Sequence, residues 1–91
     1  MEQNAKFSDS DLRALTADLV VDAKGKQCPE PLIMAKKAID TMESGQLMEV
    51  WSNDPGTKRD LAAWAGAMKH ESLGFVLEHS SGVYFRIFVR K

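Results

Sequence analysis

Apolar and polar residues alternate along this chain with two different periods, and the change of period marks the elements. Leu19-Val20-Val21-Asp22-Ala23 reads as a short buried strand. Beyond it, Leu32, Ala35, Ile39 and Met42 recur at helical spacing, which predicts a helix from Pro29 or Pro31 to about Ser44, with Gly45 at the C-cap. Leu47 to Ser52 reads as a second strand. Asn53-Asp54-Pro55 ends it and starts a second helix, with Asp54 as N-cap and Pro55 in the first helical position. Leu61, Trp64, Ala65 and Met68 give that helix one apolar face. Two more strands, Gly74 to His79 and Gly82 to Arg90, flank a turn at Ser80-Ser81-Gly82 and predict an antiparallel hairpin. In the last strand Val83, Phe85, Ile87 and Val89 alternate with Tyr84, Arg86, Phe88 and Arg90.

The order β-α-β-α-β-β predicts an α/β (α+β) two-layer sandwich: a four-stranded mixed sheet with two helices on one face. The opposite face is expected to be partly exposed, with Tyr84 and Phe88 on it. Met34, Met42, Met48 and Met68 are expected as core filler, and Trp51 and Trp64 as core or edge packing. The domain proper spans 18–91. Residues 1–17 form a polar N-terminal arm, flexible or a short helix lying on the domain, and Ser8-Asp9-Ser10-Asp11 suits a cap for a helix over Leu12 to Leu15.

A chain of 91 residues is one small domain with a limited core, so a shallow site at a surface edge is expected rather than an enclosed one. Twelve basic residues against thirteen acidic ones leave a net charge of -1, without the basic excess of a dedicated nucleic-acid binder. Direct nucleic-acid binding is therefore not expected. There is one cysteine, no secretory leader pattern at the N-terminus and no apolar run of membrane-spanning length. A cytoplasmic monomer without a cofactor or metal is the expectation.

The single cysteine, Cys28, falls just before the first predicted helix, in Cys28-Pro29-Glu30-Pro31. A residue ahead of proline is biased away from helical geometry, and proline is tolerated at a helix start. The thiol is therefore expected at or just outside the helix N-terminus, where the partial positive charge favours a thiolate. Lys24 and Lys26 add positive potential, and Glu30 opposes it if it points at the sulfur. A lone cysteine is often only a small buried hydrophobe, but the flanking prolines make that role hard to fill here.

Other cysteine chemistries lack their parts. There is no C-x-x-C and no second cysteine to resolve an internal disulfide. A phosphatase loop wants arginine where Met34 stands, and a rhodanese-like loop wants it where Ile33 stands. His70 and His79 are the only histidines, and each reads as a solvated or strand-end residue rather than a base or a metal ligand. One nucleophile unable to resolve itself fits a relay, in which sulfur arrives from one molecule and leaves to another.

Cys28-Pro29-Glu30-Pro31, preceded by Asp22-Ala23-Lys24-Gly25 and followed by an amphipathic helix, resembles the TusA/SirA family of sulfur-carrier proteins, whose marker is a C-P-x-P motif between the first strand and first helix. Asn53-Asp54-Pro55-Gly56-Thr57-Lys58-Arg59-Asp60, at the second strand-to-helix junction, resembles the family too, as does the closing Phe88-Val89-Arg90-Lys91. The similarity covers about Leu19 to Lys91, and the arm ahead of it is longer than the family's usual N-terminus. The resemblance implies a sulfurtransferase in which Cys28 carries sulfane sulfur as a persulfide, acting as a carrier co-substrate. It also implies partners: a cysteine desulfurase or rhodanese-type donor, and a downstream acceptor protein in tRNA thiolation, molybdenum-cofactor biosynthesis or sulfur oxidation.

If the first two strands are parallel, both helices start at one sheet edge and the Asp54 to Asp60 block lies near Cys28. Asp54 and Thr57 are expected to cap the helix. Arg59 is a candidate to stabilise an anionic persulfide or dock a partner's acidic surface, and Asp60 to hold Arg59 or steer a donor; equally, both belong to a solvated face. The alternative function is a non-catalytic RNA- or protein-binding regulatory module of the same fold, with Lys24, Lys26, Arg86, Arg90 and Lys91 as a basic edge.

Overall fold

The computed structural model of the chain describes residues 9–27, 29–79 and 82–91. A short helix α1 (Asp9–Arg13) precedes β1 (Leu19–Asp22), α2 (Glu30–Ile39), β2 (Leu47–Ser52), α3 (Pro55–Ala67), β3 (Glu71–Glu78) and β4 (Tyr84–Arg90). The strands lie in the order β1-β2-β4-β3. β1 and β2 are parallel, and β4 is antiparallel to both β2 and β3. This is the mixed four-stranded α+β architecture that the residue pattern predicts.

The core forms where the inward alternation of the central strands meets the apolar stripes of the long helices. Met48 and Val50 of β2, Ile87 and Val89 of β4 and Val21 of β1 pack with Ala35, Ile39 and Met42, and with Leu61 and Ala65 of α3. α2 stops at Ile39, short of the expected Ser44. Beyond it the chain tightens: Thr41 and Met42 donate their N–H groups to Ala38 and Ile39, and Lys91 Nζ donates to the carbonyls of Ile39 and Met42 at 2.8 and 2.6 Å. Gly45 does not cap the helix. Its φ of 91° turns the chain toward β2 while its N–H donates to the Lys91 carbonyl.

β3 begins at Glu71 rather than Gly74, because a register shift between Ser72 and Gly74 lets a glycine sit inside the strand at a bulge. β4 begins at Tyr84 rather than Gly82. Met68, expected in the core, is 58% exposed. α3 ends at Ala67, and the chain turns at Lys69 with φ 64°, so Met68 falls off the helix's apolar face.

The sheet face opposite the long helices is covered more than expected. Tyr84 and Phe88 do lie on it, yet both are buried. Leu12 of α1 closes a second cluster there with Leu47, Leu73, Val76 and Phe88, flanked by Leu15 and Ala17. Arg13 fastens α1 to the sheet by donating to Glu78 Oε1 at 2.9 Å and to the Leu77 carbonyl at 2.7 Å. A short helix lying on the domain, one of the two readings of the N-terminal arm, is thus present, although it runs over Asp9–Arg13 rather than Leu12 to Leu15.

Candidate functional site at the edge of the parallel strand pair

β1 and β2 run parallel, so the loops that leave their C-terminal ends share one edge of the sheet, the usual place for sites in such folds. The β1–α2 loop opens with a tight turn: Lys26 donates its N–H to the Ala23 carbonyl at 3.1 Å. Gly25, third of the four residues, has φ 82°, the left-handed value that glycine adopts without steric cost. Its N–H donates to Asn53 Oδ1 at 2.7 Å, and Asn53 Nδ2 donates to the Val83 carbonyl at 2.8 Å. One asparagine thus joins the β1–α2 loop, the β2–α3 loop and the entry to β4. Gly25, Lys26, Gln27, Asn53, Asp54 and Pro55 line a cleft of ≈ 480 Å³ between the two loops.

Cys28 itself lies outside the described residues. Its neighbours Gln27, Pro29 and Glu30 are exposed, and Pro31 is buried in the first turn of α2. α2 has Pro29 as N-cap and no side-chain cap. Its first turn carries fewer donors than an ordinary helix N-terminus: Pro29 and Pro31 have no N–H, and Glu30 donates its own to the Gln27 carbonyl at 2.8 Å. What α2 offers toward its N-terminal side is therefore mainly the field of its aligned peptides rather than hydrogen bonds.

The supporting residues distribute themselves unevenly. Lys26 lines the cleft and stands 3.9 Å from Glu30 Oε2, so the two exposed charges offset each other. Lys24 is turned away: its ammonium sits 5.1 Å from the Trp51 ring centre and 4.6 Å from that of Tyr84, on the sheet face opposite the long helices. Asp54 caps α3 by accepting from the Gly56 N–H at 3.0 Å. Ser52 accepts from the Asp54 N–H and donates to the buried Thr57 hydroxyl at 2.9 Å. The second block thus reaches the cleft only through Asn53, Asp54 and Pro55. Arg59 lines a different groove, between α3 and β3, and Asp60 lines neither.

Of the basic edge weighed above, Arg86, Arg90 and Lys91 bind acceptors of the fold itself, Lys24 lies over two rings, and Lys26 stays exposed beside Glu30. Arg86 donates from Nε to Glu49 Oε2 at 2.5 Å and from Nη1 to Glu78 Oε1 at 3.4 Å. Arg90 holds the Gly45 carbonyl and Glu71, and Lys91 closes the end of α2. Glu49 is the residue that sequence reasoning passed over. It is 4% exposed in mid-strand, and it accepts from both Arg86 and Trp51 Nε1, the latter at 2.6 Å. Its hydrogen bond is the first cause of the raised pKa of Arg86. Only the strand register reveals the pairing, since Arg86 faces Trp51 across β2 and β4 and reaches Glu49 diagonally.

Among the described residues no helix is long and apolar enough to cross a membrane. Comparison with known proteins matches residues 19–91 to the family model described as Sulfurtransferase TusA. Two Bacillus subtilis proteins, each named "Putative sulfur carrier protein", are similar in sequence. YrkI is 46% identical over 59 residues, covering 65% of this chain and 79% of its own. YrkF is 39% identical over 77 residues, covering 85% of this chain, which spans only 40% of YrkF. A crystal structure of a SirA-like protein from Desulfitobacterium hafniense superposes with a TM-score of 0.68 at 25% identity, over 79% of this chain and 95% of that one. With its sheet order, its paired strand-to-helix loops and a family match from β1 to the last residue, the chain belongs to the TusA/SirA family.

Proposed function

We infer that this protein is a sulfur carrier, with Cys28 as the atom-bearing residue. The observation that carries the reading is the position of the chain's only cysteine, in Cys28-Pro29-Glu30-Pro31, on a loop that Asn53 ties to the second strand-to-helix junction. The Cys28 thiolate attacks the outer sulfur of a donor persulfide, R–S–SH. A Cys28–S–S bond forms, the donor's S–S bond breaks, and the donor leaves as a thiolate. The transferred atom stays at the sulfane level, so no oxidant or reductant is consumed.

In the second half, a nucleophile on the acceptor takes the terminal sulfur and Cys28 leaves as thiolate. The chain has no second cysteine, so the loaded form is not discharged as an internal disulfide. The donor is a cysteine desulfurase or a rhodanese-type protein. The acceptor belongs to a thiolation, molybdenum-cofactor or sulfur-oxidation route, and the protein acts as a co-substrate in each transfer. The test is intact-mass measurement after incubation with polysulfide, and separately with a cysteine desulfurase and cysteine. Wild type is expected to gain one sulfur, reversible by dithiothreitol, and Cys28→Ser none. No gain from any donor, with the thiol shown to be free, overturns the reading.

A further inference from the structure

The groove that holds Arg59 has a composition of its own. Pro55, Lys58, Arg59 and Ala62 of α3 face Ser72, Gly74 and Phe75 of β3, with Ile87 at the floor, around ≈ 420 Å³. β3 is an edge strand, so the groove runs along a border of the sheet. Lys58 Nζ lies 4.5 Å from the Phe75 ring centre and 4.4 Å from that of Phe85, and the two rings meet edge to face at 5.8 Å. Phe75 remains 43% exposed. Among the described residues neither Lys58 nor Arg59 has a carboxylate partner within ion-pair distance, unlike Arg13, Lys26, Arg86 and Arg90.

Two cations without a carboxylate partner among the described residues, beside an exposed aromatic ring, are complementary to a segment carrying carboxylates and an apolar side chain. Position adds a reason for such a segment to bind there. Pro55 lines this groove and also the cleft beside the Gly25–Gln27 loop, so a chain seated in the groove reaches the mouth of that cleft across one residue.

We propose that the α3–β3 groove docks an acidic, apolar segment of the protein that donates sulfur to Cys28. This rests on the sulfur-carrier reading. The carboxylates of the segment pair with Lys58 and Arg59, its apolar side chain covers Phe75, and the donor's persulfide is thereby held against the cleft. Groove and thiol divide the work: the groove supplies encounter rate and orientation, and Cys28 supplies the chemistry.

The experiment compares two loading routes on the same protein. Wild type, Arg59→Glu and Phe75→Ser are loaded by polysulfide, which needs no docking, and by a cysteine desulfurase with cysteine, both read by intact mass over time. The ratio of desulfurase-driven to polysulfide-driven rate is expected to fall about tenfold in Arg59→Glu at low salt. The wild-type ratio is expected to drop toward that of the variant as salt rises, because exposed charges are screened. Phe75→Ser is expected to lower the ratio without altering its salt dependence, and a thermal melt of each variant confirms the fold. An unchanged ratio in Arg59→Glu overturns the groove as a docking site. Equal losses by both routes overturn it as well, since Arg59 would then act at the persulfide. Wild type that loads by neither route defeats the sulfur-carrier reading, and the groove proposal falls with it.

Discussion

Gly25 and Asn53 stand 28 positions apart, and the backbone N–H of the first donates to the side-chain oxygen of the second at 2.7 Å. Through that bond, and the one from Asn53 Nδ2 to Val83, the loop ahead of Cys28 is held against the start of α3. Both loops are exposed, so the bonds compete with water, and their net worth is about 1 kcal/mol each.

Asn53→Ala is therefore expected to lower stability by about 1–2 kcal/mol in urea unfolding. It is also expected to slow sulfur loading of Cys28 more than that loss explains, because the cleft no longer has two fixed walls. Asn53→Asp keeps the acceptor for Gly25 and loses the donor to Val83. If Asn53→Asp loads as slowly as Asn53→Ala, the Gly25 bond is not what orders the cleft.

Asp54 acts one residue further on. Its side chain satisfies the Gly56 N–H at the start of α3. Asp54→Ala is expected to cost about 1 kcal/mol and Asp54→Ser much less, because serine restores the acceptor. Chemical denaturation of the two variants side by side checks the difference.

Arg86 is the hinge of the polar network on the other sheet face, between Glu49 and Glu78. Arg86→Met leaves the Glu49 carboxylate buried with Trp51 as its one remaining donor among the described residues, and is expected to destabilise the fold by about 3 kcal/mol. Glu49→Gln in the same chain is expected to recover part of that loss, since the uncompensated charge is gone. The pH dependence has a definite sign. The Glu49 hydrogen bond raises the pKa of Arg86 in the folded state. A raised base contributes its full stabilisation below its unfolded pKa and loses it only as pH rises through the folded one. Both lie far above neutrality, so Arg86 stays charged from mildly acid to mildly alkaline buffer and its own titration is expected to add no pH dependence to wild-type unfolding there.

The parts of this molecule that local spacing encodes were legible in the chain. The alternation of Phe85, Ile87 and Val89 against Tyr84, Arg86 and Phe88 shows which residues share a face, and Asp54-Pro55 marks the start of α3 to the residue. Relations set by strand register were not legible. Glu49 looks like a solvent-facing residue until β4 lays Arg86 beside it, and Arg86 and Lys91 look like surface charges until their acceptors are seen. Lys24 shows the same limit at the site itself. Its ammonium lies over Trp51 and Tyr84, a placement that the fold of the β1–α2 loop sets and no local spacing encodes. Arg59 was picked out by the motif block, yet its groove depends on β3 lying alongside α3, which no spacing within the block encodes.

The last prediction concerns α1, which lies ahead of the family-matched residues. Leu12 Cδ1 would stand 3.4 Å from a Cβ added at Gly74, where the backbone has φ 123° at the bulge in β3. Gly74→Ala is strained by its backbone, a conformation that an L-residue rarely adopts, while its methyl group would meet Leu12 at about ordinary contact distance. Leu12→Ala removes the same contact from the other side without touching the strand. If α1 is a cover that the sheet tolerates losing, Leu12→Ala raises amide hydrogen exchange in residues 9–15 and exposes Phe88, while β2 and β4 keep their protection. If α1 is part of the cooperative unit, Leu12→Ala lowers protection everywhere, by the roughly 2–4 kcal/mol of a buried leucine truncation. The small size of α1 favours the first outcome. The five described residues of α1 are too few to form a helix on their own, so the segment is expected to give way before the sheet beneath it does. Gly74→Ala, which strains the strand itself, is then expected to be the more damaging of the two in global unfolding.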